Sequence, residues 1–313
     1  MITFVGMGER SSGQIRGQQI AGHLGGNFID KMNLKRDSVF FSHTVMVRSP
    51  MPESVISALQ KQGAQVGLDV LDVPASSFLC YGQEFENMSP YLHGDIFDFY
   101  IVNNTETKKL VGEVCETPCF VIPHHTVNFH SQRTCFGDKL ERIGYLGLID
   151  QLDRVNDIKS MANNLGIDLV FANEETIEGC VEFLSTLDAG IIFLEEDCSE
   201  DETIEFLVGG KPRDVNKQKR AEHLKRFKPN TKLSNFQSFG IPTICTEYAS
   251  FREFGAQNYL PVRDLSDVQD ALTTLKNDVD ARKKLSNLSY AHAQSFHVSS
   301  ISNLYKEILT QIL

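Results

Sequence analysis

The sequence predicts an α/β protein with two doubly wound domains, and three observations lead to this prediction. The chain has 313 residues, about twice the length of a typical single domain. Short apolar runs alternate with longer amphipathic runs almost throughout, which is typical of parallel strands covered by helices. A polar segment without hydrophobic periodicity, at positions 130–141, separates two stretches of similar size and pattern.

The first stretch, residues 1–137, is expected to form an N-terminal domain. Its apolar runs predict strands at 2–6, 39–47, 64–74, 98–104 and 119–125. Helical spacing of apolar residues predicts helices at 14–24 and 52–63, and Gly63 provides the stop signal of the second. Strands that alternate with helices in this way indicate a parallel sheet with helices on both faces.

The second stretch, residues 138–296, repeats the pattern and is expected to form a C-terminal domain. Strands are predicted at 142–149, 168–172, 189–194, 242–246 and 259–262. Helices are predicted at 151–166, 175–188, 231–240, 265–278 and 281–294. A last helix at 299–313, within a segment 297–313, is expected to cross back to the first domain.

Composition restricts the classes of function. The formal net charge is −11, whereas proteins that hold nucleic acid usually carry a basic face, so duplex DNA is not a favoured partner. No apolar run approaches the roughly 18 residues of a membrane span. The N-terminus lacks the pattern of a secretory signal and the seven cysteines show no paired CxxC spacing, so we expect a cytoplasmic protein with reduced thiols. No His/Cys cluster indicates a metal site.

The N-terminal loop "GMGERSSGQIRG" follows a predicted strand and opens a predicted helix. Gly6 and Gly8 fit the start of a dinucleotide-binding fingerprint, but Ser11 occupies the position of its third glycine. What remains is a helix start near Gly13, with Arg16 in the first turn. This arrangement predicts that the loop lines a crevice at the carboxyl ends of the strands; the alternative is a tight connection with a solvent-facing arginine.

Histidines near strand ends are the candidates for a general base, because the pKa of histidine lies near neutrality. His93 precedes the predicted strand 98–104, and His124 closes the strand "CFVIPHH". For each of them, a structural role is the alternative. The sequence contains neither a G-x-S-x-G elbow nor a GxxxxGK[ST] phosphate-binding loop.

The segment 195–229 breaks the alternation of strands and helices, since it is acidic first and basic afterwards. Its length is unusual for a plain connection. Together with the residues that follow, it holds the densest positive cluster of the chain, at positions 211–232, which includes Arg226. The cluster is interpreted either as a solvated helix face or as a lid that faces a phosphate group.

The stretch "RFKPNTKLSNFQSFGIPTICTEYASFREFG" places Lys228 and Lys232 around the start of the predicted helix 231–240. Backbone N–H groups and positive side chains converge at such a helix start, which favours a bound diphosphate. Asn235 lies one turn further along. After the next strand, Glu247 and Glu253 follow in what we expect to be a loop at the same crevice.

The second half resembles the C-terminal domain of retaining, nucleotide-sugar-dependent glycosyltransferases with the GT-B fold. The segments that carry the resemblance are "IGYLG", "LDAGIIFL", "KPNTKLSNFQSFGIPTICT" and "LSNLSYAHAQSFHVSSISNLYKEIL". In that family, two Rossmann-like domains face each other across a cleft. The resemblance implies that Lys228 or Lys232 pairs with the donor phosphates. It also places Asn235 where a ribose-binding glutamate is usual, and the expected pair of glutamates is missing.

The resemblance and the residue patterns together define a candidate site between the two domains. The predicted catalytic residues are His93, His124 and Glu247. The predicted donor-binding residues are Ser12, Gly13, Arg16, Gly147, Arg226, Lys228, Lys232, Leu233, Asn235 and Glu253. No metal and no permanently bound cofactor are expected, because the nucleotide sugar is a substrate.

The function that the resemblance implies is metal-independent, retaining transfer of a sugar from a nucleoside-diphosphate sugar. The acceptor stays open between a glycan, a small molecule and a modified DNA base. Two alternatives remain at this point. One is a non-catalytic module that binds a nucleotide or a sugar, and the other is a dinucleotide-dependent enzyme.

Overall fold

The computed structural model describes most of the chain. The described residues are 2–8, 13–33, 42–47, 51–71, 96–126, 139–147, 149, 152–173, 176–195, 203–208, 211–255 and 258–312. None of the helices in these ranges is both long and apolar enough to span a bilayer.

The N-terminal part of the chain forms a six-stranded parallel sheet. Its strands are β1 (Ile2–Gly6), β2 (Asn27–Asp30), β3 (His43–Val47), β4 (Gln65–Leu71), β5 (Phe99–Val102) and β6 (Cys119–Val121). Their spatial order is β2-β1-β3-β4-β5-β6. Strands are added in opposite directions from β1, so β1 and β3 form a topological switch point, where open α/β sheets bind ligands at the carboxyl ends.

Helices cover both faces of this sheet, and the strands β1, β3 and β5 are therefore buried throughout. A π-helical stretch, Gln14–Gln19, continues into α1 (Ile20–Leu24), and α2 (Glu53–Lys61) and α3 (Thr105–Val114) follow. All five residues of β1 are buried. Side chains alternate across a strand, and accordingly Phe4 and Val5 belong to two different apolar clusters.

The C-terminal part forms a second parallel sheet of five strands, together with a separate antiparallel hairpin. The sheet contains β7 (Arg142–Leu146), β8 (Asp168–Ala172), β9 (Ala189–Ile192), β12 (Thr243–Cys245) and β13 (Leu260–Pro261), and the hairpin contains β10 (Thr203–Val208) and β11 (Lys211–Asn216). The order of the sheet is β13-β12-β9-β7-β8. Its switch point therefore lies between β7 and β9.

The described residues of the C-terminal part form eight α-helices and a 3-10 helix at Gln294–Phe296. The α-helices are α4 (Val155–Asn164), α5 (Ile177–Ser185), α6 (Lys217–Phe227), α7 (Thr231–Ser238), α8 (Ala249–Phe254), α9 (Leu265–Asn277), α10 (Val279–Ala293) and α11 (Val298–Gln311). The last of them, α11, packs on the first sheet, where Ile301 and Tyr305 share an apolar cluster with Phe4. The domain boundaries 1–137, 138–296 and 297–313 stay predictions.

The segment that broke the sequence pattern, 195–229, contains the hairpin β10–β11 and helix α6. Lys217, at the start of α6, forms an ion pair of 2.8 Å with Glu195, and both side chains are largely buried. Ala221 and Leu224 of the same helix pack into the apolar core beside α7. Helix α6 is therefore docked on the second domain through its apolar residues.

Several elements were not predicted from the sequence: β2, α3, α8 and the hairpin β10–β11. Helix α3 begins where the strand 98–104 was expected to end, because the Asn104 side chain accepts a hydrogen bond of 2.8 Å from the Thr107 N–H and so caps the helix. Helix α8 occupies part of the predicted loop that follows β12, and Glu253 consequently lies on a helix.

Candidate functional site

The turn after β7 lies at the switch point of the second sheet. Its residue Gly147 has a φ of +133°, a conformation that side chains other than glycine rarely adopt. A Cβ atom at this position would lie 3.0 Å from the Nζ atom of Lys232. The backbone conformation therefore requires glycine, and the head group of the lysine lies close to it. The two predicted donor residues Gly147 and Lys232 are thus in contact.

Helix α7 begins directly opposite this turn. Lys232 lies in its first turn, and no side chain caps the N-terminus of the helix. The Lys232 ammonium donates a hydrogen bond to the Tyr145 hydroxyl, and its Nζ atom lies 4.2 Å from the centroid of the same ring. An uncapped helix N-terminus carries partial positive charge, so a lysine beside it makes the place favourable for an anion such as a diphosphate.

The start of α7 also touches the first domain. The Asn230 side chain accepts a hydrogen bond of 3.0 Å from the His124 backbone N–H, and it donates a longer one, of 3.4 Å, to the carbonyl of the same residue. His124 follows β6 by three positions. The carboxyl end of a first-domain strand and the N-terminus of the Lys232 helix therefore meet.

The ring of His124 is the most unusual polar group at this junction. It is buried, and neither ring nitrogen has a hydrogen-bond partner within the described residues. Burial, with smaller effects of Arg16 and His125, lowers the pKa of His124 well below its ordinary value, so the imidazole is neutral at pH 7. A neutral imidazole can accept a hydrogen bond, but a pKa so far below 7 makes it a weak general base, because efficient base catalysis needs a pKa near the working pH.

A second set of contacts joins the domains beside this junction. The Glu253 carboxylate accepts hydrogen bonds from the Thr105 N–H, at 2.8 Å, and from the Thr105 hydroxyl, at 2.6 Å. It thereby caps the N-terminus of α3. The Asn104 amide donates to the Arg226 carbonyl at 3.1 Å. Glu253 and Arg226, both predicted at the donor, thus take part in contacts between the two domains.

Comparisons of the sequence and of the structure with known proteins show which proteins this chain resembles. No protein-family model and no curated protein matches the sequence. Solved structures do match: HepE of Anabaena, in a complex with UDP and glucose, aligns over 99% of both chains with a TM-score of 0.60 and 10% identity. A complex of the same protein with UDP-glucose also covers 99% of both chains, with a TM-score of 0.59 and 9% identity.

Larger proteins match as well. Sucrose-phosphate synthase from Thermosynechococcus elongatus aligns over 87% of this chain and 74% of its own, with a TM-score of 0.56 and 11% identity. The GtfA/B complex aligns over 86% of this chain, with a TM-score of 0.54 and 12% identity, and the chain spans 57% of that protein. The chain has the GT-B fold. The predicted fold class is confirmed.

Arg16 stabilises the fold of the N-terminal part through buried polar contacts. Its side chain is fully buried, and two of its nitrogen atoms lie 2.8 Å from Asp69 Oδ2. A third nitrogen donates to the carbonyls of Ile122, at 3.0 Å, and Pro123, at 2.8 Å. The Tyr305 hydroxyl donates to the same oxygen of Asp69. Contrary to the expectation from the sequence, the Arg16 side chain does not line a cleft but supports the segment that leads to His124.

Three further predicted residues surround the start of α7 in different ways. The Leu233 side chain is buried in the apolar core, so only its backbone in the first turn of α7 can face a ligand. Asn235 is also buried, one turn further along the helix. Lys228 is half-buried, and its carbonyl accepts a hydrogen bond of 2.6 Å from the Ser250 hydroxyl. This bond fixes the backbone just before α7.

Glu247 lies in a different environment. It accepts a hydrogen bond of 3.1 Å from the Tyr259 hydroxyl. It also lines an open cavity of about 520 Å³, to which Lys225, Arg252 and Arg263 contribute positive charge. None of these contacts connects Glu247 with Lys232 or His124, so its predicted catalytic role stays a prediction.

The remaining predicted residues belong to the first half of the sequence. A Cβ atom on Gly13 would lie 2.1 Å from the Met7 carbonyl oxygen, so the glycine allows the helix to begin against the β1 loop. Ser12 and His93 lie outside the described residues. The described residues contain no group of three or more histidine, cysteine, aspartate or glutamate side chains that could hold a metal ion.

Sequence reasoning missed Tyr145 and Asn230, which connect Lys232 to the second sheet and the first domain. The tyrosine precedes "LG" in an otherwise apolar strand, where a buried hydroxyl group needs a hydrogen-bond partner, and that need is the one signal of its role. Asn230 stands where an N-cap is expected, but its side chain turns to His124 instead.

Proposed function

We propose that the protein is a glycosyltransferase that takes its sugar from a nucleoside-diphosphate sugar, with UDP-sugars as the first donors to test. The observation that carries the proposal is the position of Lys232. This lysine lies at an uncapped helix start, against Gly147 at the switch point of the second sheet, and the same helix start contacts the first domain through Asn230. A diphosphate at this place would lie between the two domains.

The chemistry of sugar transfer matches the charges at this place. The bond between C1 of the sugar and the β-phosphate oxygen breaks, and its electron pair stays on the departing nucleoside diphosphate. The acceptor hydroxyl forms the new bond to C1, and its proton passes to an oxygen of the departing diphosphate. Lys232, Lys228 and the α7 N-terminus would stabilise the new negative charge, since preorganised donors act where charge develops. We therefore propose a metal-independent reaction.

Two side chains complete the proposed site. Asn235 would lie on the ribose side of the donor, one turn beyond the phosphates. His124 would meet the sugar or the acceptor, because it is a neutral ring at the end of a first-domain strand that reaches the same helix. Closure of the domains around the donor would exclude water, which otherwise competes as an acceptor.

The choice of UDP-sugars rests on analogy of fold. HepE, which aligns with 99% of this chain, was solved with UDP-glucose and with UDP and glucose. One fold hosts many functions, so this analogy selects the first ligand to test and no more. The acceptor is unidentified, and the net charge of −11 argues against duplex DNA.

Ligand binding is the direct test of the donor site. We expect UDP and UDP-glucose to raise the melting temperature, since a ligand at a hundred times its Kd stabilises the native state by about 2.7 kcal/mol. Lys232→Ala should lose most of this effect, and Lys228→Ala part of it. Lys159→Ala, an exposed lysine on α4, is the matched control. Unchanged binding in the double variant Lys228→Ala/Lys232→Ala would refute the assignment of the site.

Turnover separates an enzyme from a binding module. We expect slow release of UDP from UDP-glucose by water alone, and faster release with a suitable acceptor. Proton NMR of the first product would test retention of the anomeric configuration, which we propose. A protein that binds UDP-glucose tightly but neither hydrolyses nor transfers the sugar would be the non-catalytic alternative.

A further inference from the structure

Tyr145 is a phenol in the middle of an apolar core. It lies on β7, is fully buried, and belongs to the same cluster as Ile143 and Ile191. Core packing explains the ring but not the hydroxyl, because phenylalanine fills nearly the same volume without a polar atom. A buried tyrosine hydroxyl needs a hydrogen-bond partner, and here the Lys232 ammonium donates to it.

Lys232 lies at the hydroxyl end of the Tyr145 ring. Its Nζ atom, which donates to the hydroxyl, is 4.2 Å from the ring centroid. Gly147 borders the lysine as well, because a Cβ atom there would lie 3.0 Å from Nζ and 3.2 Å from Cε. The head group of the lysine is thus bordered by Tyr145 and Gly147.

A lysine whose side chain is held in a fixed conformation binds an anion more tightly than a mobile lysine. A lysine side chain loses about 2 kcal/mol of rotamer entropy when it is fixed, and a binding site that fixes it in advance does not lose this entropy on binding. An ammonium has three N–H donors, so a bond to Tyr145 is compatible with bonds to phosphate oxygens.

We infer that Tyr145 is a positioning residue, which holds the Lys232 ammonium at the α7 N-terminus for the donor diphosphate. The inference rests on the proposed function, and it assigns to Tyr145 no contact with the substrate. The hydroxyl of a core residue in β7 would then contribute to the affinity for the diphosphate.

A double-mutant cycle on the full chain tests this role, with UDP as the probe and calorimetry as the assay. Tyr145→Phe removes the hydroxyl and keeps the ring. We expect it to weaken UDP binding by about threefold to tenfold, the range of one net hydrogen bond. In a Lys232→Ala background, the same change should have no further effect, since the group that the hydroxyl positions is gone. Tyr290→Phe, a half-buried tyrosine on α10, is the control.

The outcomes separate the inference from the proposed function. If the wild type binds neither UDP nor UDP-glucose, the proposed function is wrong. If the wild type and Tyr145→Phe bind UDP equally well, the positioning role is wrong. The positioning role is also wrong if the Tyr145→Phe change weakens UDP binding by the same factor in the wild-type and in the Lys232→Ala background.

A measurement without nucleotide tests the contact between Lys232 and Tyr145 directly. The 13Cε resonance of Lys232, assigned by its loss in Lys232→Ala, should change its position or its line width in Tyr145→Phe. An unchanged resonance would overturn the inference whether or not UDP binds.

Discussion

Replacing Arg16 with methionine should destabilise the folded protein strongly, because it would leave a buried carboxylate without its cation. Arg16 and Asp69 are both completely buried, and two nitrogen atoms of the guanidinium lie 2.8 Å from one carboxylate oxygen. Two carbonyls, those of Ile122 and Pro123, would also lose their donor. Methionine keeps much of the volume of arginine, so the change removes polar contacts rather than packing.

The size of the effect follows from this burial. Removing one partner of a buried ion pair costs about 3–5 kcal/mol, a large part of the roughly 5–15 kcal/mol that stabilises a folded domain. With a urea m-value of about 3 kcal/mol per molar, the unfolding midpoint should fall by at least about 1 M. The double variant Arg16→Met/Asp69→Leu should lose less than the sum of the two single variants, because no charge is left unpaired.

Urea unfolding followed by circular dichroism measures this loss, and UDP calorimetry on the same variants distinguishes the two roles considered for Arg16. If Arg16 has a structural role, Arg16→Met should lower the stability strongly. Any loss of UDP affinity should then arise only from displacement of the segment before His124. A stability change below about 1 kcal/mol, combined with a tenfold loss of UDP affinity, would refute the reasoning and return Arg16 to the donor site.

Three other changes test single contacts of the fold. Glu253→Gln should lower the free energy of unfolding by about 0.5–2 kcal/mol, since the carboxylate caps the helix that begins at Thr105. Gly13→Ala should cost about 1–3 kcal/mol because its Cβ would lie 2.1 Å from a carbonyl oxygen, whereas Gly112→Ala, with open space around it, should stabilise helix α3 by about 0.5–1 kcal/mol. Burial lowers the pKa of His125 from 6.5 to about 4. Between these two pH values the unfolded chain binds a proton that the folded protein does not bind. The free energy of unfolding should therefore fall as the pH is lowered from 6.5 to 4, by up to about 1.4 kcal/mol per pH unit.

Each of these changes has a clear contrary result. For Glu253, the unfolding midpoint of Glu253→Gln would equal that of the exposed control Glu113→Gln. For the glycines, the two alanine variants would shift stability in the same direction. For the histidine, His125→Gln would show the same pH slope between pH 6.5 and 4 as the wild type, which would mean that another group titrates. Urea unfolding at several pH values measures all three.

The elements that depend on local pattern were predicted well. The helix expected at 231–240 runs from Thr231 to Ser238, and Lys232 stands in its first turn as the spacing indicated. The helix start near Gly13 is also present. Such features follow from periodicity and end signals within about ten residues, which a single sequence displays.

Contacts between distant segments were not predictable in this way. The hydrogen bond between Lys232 and Tyr145 joins residues 87 positions apart, and the ion pair of Arg16 reaches Asp69 over 53 positions. Arg16 was placed correctly in a helix, but its side-chain partners lie on β4 and after β6, and the local pattern does not show where these strands lie relative to that helix. The role of Glu253 depended likewise on a helix, α3, that belongs to the other domain.

The sequence by itself determined the α/β class, the two-domain pattern and the basic helix start around Lys228 and Lys232, because hydrophobic periodicity and local charge are properties of neighbouring residues. Only the tertiary structure decided which groups face that helix start. The strand order brings Gly147 and Tyr145 against Lys232, and the contact between domains brings His124 to Asn230. These choices depend on strand order and domain packing, which arise from many weak contacts between segments far apart in the chain.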